Sequence, residues 1–232
     1  MTKPLVIGHK GSPIDSPENT LQSFESAINQ GSDMVELDLQ ESSDGYLVVI
    51  HDYDVKRVSN QDGHVSEMTL HELKSLDLGD SAVIPTLEEV LDLARGRIKV
   101  NIELKVSGIE SAAISLVKQR GMMEDVIFSS FYHGFLLELK EIDQTATTAI
   151  VYNKPPENVV SYAIDFGAAA INPLFNNLES DTVREAHNAK LNVFPWTIND
   201  ENTIEEYLKM GVDGIITDIP GRCRDIVDRL FS

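Results

Sequence analysis

The chain has 232 residues and a formal net charge of −19. That length suits one α/β barrel, and that charge opposes nucleic acid or an anionic membrane as a partner, since both need clustered Lys and Arg. A single cysteine, Cys223, excludes an intramolecular disulfide and argues against a thiolate metal centre.

No run approaches ~18 apolar residues, and the opening MTKPLVIGHKG lacks a signal-peptide core. A soluble, cytoplasmic protein with no stable membrane anchoring is therefore expected, and the sequence leaves open whether it forms a homo-oligomer. The acidic balance also repels anionic substrates at long range, so a bound cation would help to hold one.

Pro4 to Gly8 is a short apolar run that suits a strand buried on both faces and ends at His9. Asn19-Thr20-Leu21-Gln22 predicts an N-cap at Asn19, with Leu21, Phe24 and Ile28 at helical spacing and Gly31 as the stop. Met34 to Leu39 then reads as a strand whose Glu36 and Asp38, two residues apart, share a face.

Asp44-Gly45 predicts a two-residue type I′ turn. On that reading Ser43 pairs with Tyr46, the return arm Tyr46–Ile50 is antiparallel, and His51 falls opposite Asp38. Residues 53–64 read as a polar surface loop, and the segment of about 52–85 as a small insertion. Thr69-x-x-Glu72 and Thr86-x-x-Glu89 predict two further helix starts. In Arg97–Lys105 the apolar Ile98, Val100, Ile102 and Leu104 alternate with Lys99, Asn101, Glu103 and Lys105. A barrel would place that polar set inside or at its mouth.

Helix–strand units then recur to the end of the chain. Eight parallel strands are expected, starting near Leu5, Met34, Ile98, Val126, Thr147, Ala169, Asn192 and Gly214. The architecture predicted is a single-domain (β/α)8 TIM barrel spanning residues 1–232, with a β-hairpin and the small insertion after the second strand.

Barrel active sites lie at the C-terminal ends of the strands. Those ends carry His9-Lys10, then Glu36, Asp38 and, through the hairpin, His51. They also carry Glu103-Leu104-Lys105 and Trp196. Three carboxylates drawn together would repel unless a cation sat among them, and an all-oxygen set suits Mg²⁺ or Ca²⁺. A divalent metal with two imidazoles and two ammonium groups fits phosphate-ester chemistry. Enolase-like proton abstraction fits the spacing as well.

The ordered motifs His9-Lys10-Gly11, Glu18-Asn19-Thr20, Glu36-Leu37-Asp38, Val48-Val49-Ile50-His51-Asp52, Pro85-Thr86-Leu87-Glu88 and Ile102-Glu103-Leu104-Lys105 resemble the glycerophosphodiester phosphodiesterase family. The likeness continues through Trp196-Thr197 and Asp213–Asp218.

The resemblance implies Glu36, Asp38 and Glu103 as metal ligands, His9 and His51 as an acid–base pair, and Lys105 as a phosphate contact. It implies small glycerophosphodiesters as substrates. Lys10 stands where the family usually has Arg, which keeps the positive charge but loses the planar fork. Trp196 would wall the glycerol or face a choline ammonium. Two alternatives are a phospholipase D-like lyase, disfavoured by the lack of an expected exposed aromatic cluster, and a non-catalytic phosphate-ester binding barrel.

Overall fold

The computed structural model describes residues 3–232; Met1 and Thr2, at the start of the expected domain, lie outside the described residues. Its strands are β1 (Leu5–Gly8), β2 (Met34–Glu41), β3 (Leu47–Val49), β4 (Lys99–Leu104), β5 (Val126–Ser130), β6 (Thr147–Tyr152), β7 (Ala170–Pro173), β8 (Asn192–Val193) and β9 (Gly214–Thr217). Eight run parallel in the order β8-β7-β6-β5-β4-β2-β1-β9, and β3 pairs antiparallel with β2. Between β8 and β9 no regular ladder forms. There the Asp213 N–H donates to Val193 O at 3.1 Å and the Ile216 N–H to Pro195 O at 3.0 Å, so the barrel nearly closes.

The helices are α1 (Leu21–Asn29), α2 (Lys56–Ser59), α3 (Leu70–Lys74), α4 (Leu87–Ala94), α5 (Glu110–Gln119), α6 (His133–Ile142), α7 (Val159–Asp165), α8 (Ser180–Asn188), α9 (Glu201–Met210) and α10 (Pro220–Leu230). Period-2 alternation separates two layers. Val35, Leu37, Val100, Ile102 and Leu104 pack outward against helix residues such as Phe24, Leu87 and Leu91. Ile7, Met34, Ala149, Ala170, Phe194 and Ile216 fill the barrel interior, with Ile216 reaching the floor of the mouth. Of the polar set of β4, Asn101, Glu103 and Lys105 line the C-terminal mouth, whereas Lys99 stands exposed at the strand's other end.

Both Thr-initiated helices start as expected, each with a reciprocal capping box at Thr69–Glu72 and Thr86–Glu89. The cap of α1 differs. Thr20, not Asn19, accepts the Ser23 N–H, which releases the Asn19 amide for the site.

The hairpin register is one residue from that expected. Leu39 pairs with Val49 and Glu41 with Leu47, and the Ile50 N–H donates to Asp38 O at 2.9 Å, so Ile50 rather than His51 lies opposite Asp38. The turn is a three-residue loop. The Gly45 N–H donates to Ser42 O at 3.0 Å, and Gly45 sits at φ +84°. The Ser42 hydroxyl selects this loop by accepting the Tyr46 N–H at 3.0 Å and donating to Asp44 at 2.7 Å.

A one-residue slip normally turns a side chain to the opposite face. His51 still reaches the mouth because β3 ends at Val49. The buried Gln40 amide then donates to the carbonyls of Ile50, His51 and Asp52 at 2.9, 3.1 and 2.8 Å and draws the chain across the mouth.

Residues 53–64 are not a plain loop. They contain α2 and an Asp54–His64 bridge, because Val55 and Val65 bury completely in a satellite core with Val48, Ile50, Leu73, Leu76 and Ile84. The insertion is thereby clamped to the hairpin beside the mouth.

Candidate active site

A narrow pit of about 60 Å³ opens at the C-terminal end of the barrel, with His9, Glu36, Asp38, His51, Glu103, Lys105 and Trp196 in its lining. Seven of the eight residues singled out in the sequence converge there. Lys10 is the exception. Its backbone sits in the left-handed region at φ +51°, its N–H donates to Glu36 Oε2 at 3.0 Å, and its Nζ pairs with Glu18 at 3.2 Å, 3.9 Å from Asp38 Oδ2.

Glu36, Asp38 and Glu103 each offer an oxygen, all within 4.8 Å of one another. Burial, followed by the charge of Asp38, pushes the Glu36 carboxyl up to about 8. Burial and Asp38 raise Glu103 as well. Burial acts the same way on Asp38, but the charges of Lys105, Lys10 and His51 outweigh it and keep that group low. The Lys105 ammonium lies 2.8 Å from Glu103 and 3.3 Å from Asp38 and offsets part of the repulsion. The all-oxygen donor set fits a divalent metal.

Each histidine is backed by an aspartate. His9 Nδ1 lies 2.7 Å from Asp218, whose other oxygen accepts from the Asn199 amide at 2.6 Å. Burial lowers the His9 pKa, but the Asp218 hydrogen bond and the charges of Glu36 and Asp218 outweigh it, and the net shift is upward. His51 Nδ1 lies 2.6 Å from Asp52, which accepts from Arg57 Nε at 2.6 Å. Arg57 forks onto Glu18 at 2.7 and 2.8 Å, and Glu18 in turn holds Lys10. Asn19 Nδ2 donates to Asp38 at 2.8 Å. With Nδ1 engaged on both rings, Nε2 is the nitrogen of each that has no hydrogen-bond partner among the described residues.

Asp52, Asp218, Asn19, Glu18, Arg57 and Asn199 were not singled out as site residues in the sequence, where Asn19 reads as a helix cap. Asp52 and Asp218 lie inside quoted motifs, but an orienting carboxylate has no spacing signature of its own. Two other histidines are engaged away from the mouth. His133 engages Tyr162 and the Val151 carbonyl, both at 2.9 Å, and His187 engages Asp213 at 2.9 Å. Trp196 donates to Asn172 O at 2.9 Å and meets Phe131 edge-on at 5.4 Å. One expectation is corrected: Tyr53 and Tyr132 do stand exposed, at 47% and 54%, beside the mouth. They belong to the hairpin exit and the β5–α6 connection, which period-based reading cannot bring together.

An eight-stranded parallel barrel with acids, imidazoles and ammonium groups at its C-terminal mouth defines a TIM-barrel enzyme. The glycerophosphoryl diester phosphodiesterase family model matches residues 9–222, so the chain belongs to that family. A glycerophosphodiester phosphodiesterase of Caldanaerobacter subterraneus subsp. tengcongensis is 37% identical, covering 94% of this chain and 95% of its own. The structure of an Oleispira antarctica phosphodiesterase, in complex with the product sn-glycerol-3-phosphate, is 29% identical, with a TM-score of 0.91 and 97% of each chain covered. The glycerophosphodiester phosphodiesterase structure from Thermotoga maritima is 28% identical, with a TM-score of 0.85, covering 97% of this chain and 100% of that one. No helix among the described residues is long and apolar enough to cross a membrane.

Proposed function

We propose that the chain hydrolyses small glycerophosphodiesters, such as glycerophosphocholine or glycerophosphoethanolamine, to glycerol phosphate and an alcohol. The observation that carries this reading is the convergence of Glu36, Asp38 and Glu103 with two aspartate-backed histidines at one mouth. The product bound by the Oleispira relative agrees with it.

Glu36, Asp38 and Glu103 would hold a divalent ion, Mg²⁺ or Ca²⁺, which when bound supplies positive charge to the phosphoryl oxygens. Lys105 contributes a second positive charge from the same wall. Lys10 would reach the phosphate only if Nζ left Glu18; where it stands, its charge adds to that of Lys105 in keeping the Asp38 carboxyl low.

The free Nε2 of one histidine takes the proton from the glycerol hydroxyl next to the phosphate as that oxygen bonds to phosphorus. The other Nε2 gives a proton to the departing alcohol oxygen as its bond to phosphorus breaks. The two then exchange roles as water opens the cyclic phosphate. Asp218 and Asp52 fix the tautomer and steady each imidazole while it is charged. Trp196 and Phe131 form an apolar wall for the glycerol carbons. On this reading residues 1–232 act as one domain, with 52–85 as an insertion that serves the site.

The test is release of glycerol phosphate from glycerophosphocholine by wild type and His51→Ala. A positioned acid or base is typically worth ~10²–10⁴-fold, so the variant loses that much turnover. An unchanged rate excludes the role of His51.

A further inference from the structure

Six buried side-chain oxygens among the described residues have no hydrogen-bond partner. Three of them, Asn101 Oδ1, Ser129 Oγ and Asn172 Oδ1, line the one narrow pit of the mouth. Ser129 is fully buried, and the two asparagines nearly so. A buried polar atom left unpaired costs stability, so this concentration marks a place where the polar group of a ligand belongs.

Barrel geometry sets how these groups meet. In an eight-stranded barrel of shear eight each strand slips about one residue on its neighbour, and alternate strands supply each inner layer. The observed register then puts Ser129 and Asn172 in one layer with Glu36, directly below the layer of His9, Glu103 and Trp196. Asn101 lies one layer deeper. Ser129 pairs in register with Glu103 on the acid side. Asn172 stands on the tryptophan side, where Trp196 Nε1 donates to its backbone carbonyl at 2.9 Å.

The Ser129 hydroxyl can donate, whereas Asn172 Oδ1 can only accept. One alcohol group, which does both, satisfies the pair. The pit measures about 60 Å³. Since ~10–15 Å³ holds one water, it admits a group of a few heavy atoms.

We infer that Ser129 and Asn172 receive the terminal hydroxymethyl group of the glycerol and so make a free hydroxyl at that carbon a condition of good turnover. The inference rests on the phosphodiesterase reading and deepens it. The hydroxyl next to the phosphate stays level with the histidines, and the terminal carbon points down the barrel axis. Asn101 keeps the base polar beneath the pair, so an apolar group placed there leaves three oxygens unpaired. A lysophospholipid acylated at that oxygen has no hydrogen to give Asn172, and its ester meets a pit too small to take it.

The test compares glycerophosphocholine with 2-hydroxypropyl phosphocholine on the metal-supplemented full chain. The second ester keeps the attacking hydroxyl and lacks only the terminal one. A wild-type preference in kcat/KM of about 100-fold for the glycerol ester is expected, because the deoxy ester leaves buried groups unpaired. Ser129→Ala and Asn172→Leu each remove one hydrogen bond and should lower the ratio to about tenfold, and the double variant should bring it near one. Both esters are read on one preparation, so any loss of folded enzyme cancels from the ratio. Lysophosphatidylcholine should turn over at no more than about a hundredth of the glycerophosphocholine rate.

A wild-type ratio near one, or lysolipid turnover equal to that of glycerophosphocholine, overturns the floor while leaving the phosphodiesterase reading intact. A large ratio that neither variant lowers places the terminal hydroxyl elsewhere, toward the acid trio, and overturns it as well. Hydrolysis of neither ester, nor of glycerophosphoethanolamine, overturns the phosphodiesterase reading and the floor with it.

Discussion

Arg57 and Glu18, 39 residues apart, meet in a two-pronged ion pair at 2.7 and 2.8 Å. The same guanidinium holds Asp52 through Nε, so one side chain of the insertion braces both the carboxylate behind His51 and the carboxylate that holds Lys10. Burial raises the Glu18 carboxyl, yet Arg57 and Lys10 outweigh that and bring it down to about 2.

Arg57→Ala should therefore lower kcat by about 10- to 100-fold, the usual scale for losing a group that orients an active residue. Arg57→Lys keeps the charge but cannot fork onto Glu18 while reaching Asp52, so it should recover little. Steady-state assays, with added guanidinium as a rescue of the alanine variant, check this. Full activity in both variants contradicts the bracing role.

The acid trio makes the metal-free protein sensitive to base. Burial and Asp38 raise the folded-state pKa of Glu36 to about 8, well above its unfolded value near 4.5. A group raised in this way stabilises the fold fully below the unfolded pKa. That contribution is lost as pH rises through about 8. Thermal melts of chelated protein should fall between pH 6 and 9, and saturating Mg²⁺ or Ca²⁺ should flatten the profile. Identical slopes with and without metal would count against the cluster as the ion's home.

Asp218 backs His9 as Asp52 backs His51. Asp218→Asn keeps the size but removes the charge facing Nδ1, leaving the imidazole in the wrong tautomer or without a stabilising anion. A fall in kcat of ~10²–10³-fold with little change in the melting temperature is expected. A change in KM alone would place Asp218 outside the proton chemistry.

Two glycines separate backbone cost from site damage. Gly45 sits at φ +84° with nothing within 4 Å of an added Cβ, so Gly45→Ala should cost about 1 kcal/mol of stability and spare activity. Gly11 sits at φ +90°, and a Cβ there would come within 2.6 Å of the Ser23 backbone. Gly11→Ala should destabilise more and also depress activity by shifting Lys10 and its N–H bond to Glu36. Denaturant melts paired with assays read both.

How much of this was legible before the structure follows from what each signal measures. Period and capping chemistry located the parallel strands, the helix starts at Thr69 and Thr86, and the inward acids Glu36, Asp38 and Glu103. Those features are local, or belong to one strand. The hairpin register was not legible, because Asp44-Gly45 fits both a two-residue and a three-residue loop; the Ser42 hydroxyl decides between them through a contact that spacing does not encode. The bracing of Asp52 by Arg57 and of Asp38 by Asn19 was hidden for a different reason. Each is a long-range pairing of polar side chains, and polar residues in loops carry no periodic mark. Lys10 shows the limit within a motif: its position was legible, while the turn of its ammonium toward Glu18 depends on Arg57 having placed that carboxylate.

The central claim is that an ion gripped by Glu36, Asp38 and Glu103 is required for two histidines to cleave a glycerophosphodiester. The most direct measurement is glycerol phosphate release from glycerophosphocholine and glycerophosphoethanolamine by chelator-stripped protein, before and after Mg²⁺ or Ca²⁺ is returned. Loss of activity on stripping, restored by the ion in wild type but not in Glu103→Gln, is the predicted result. Full turnover by the stripped protein, or unimpaired restoration in the Glu103 variant, would contradict it.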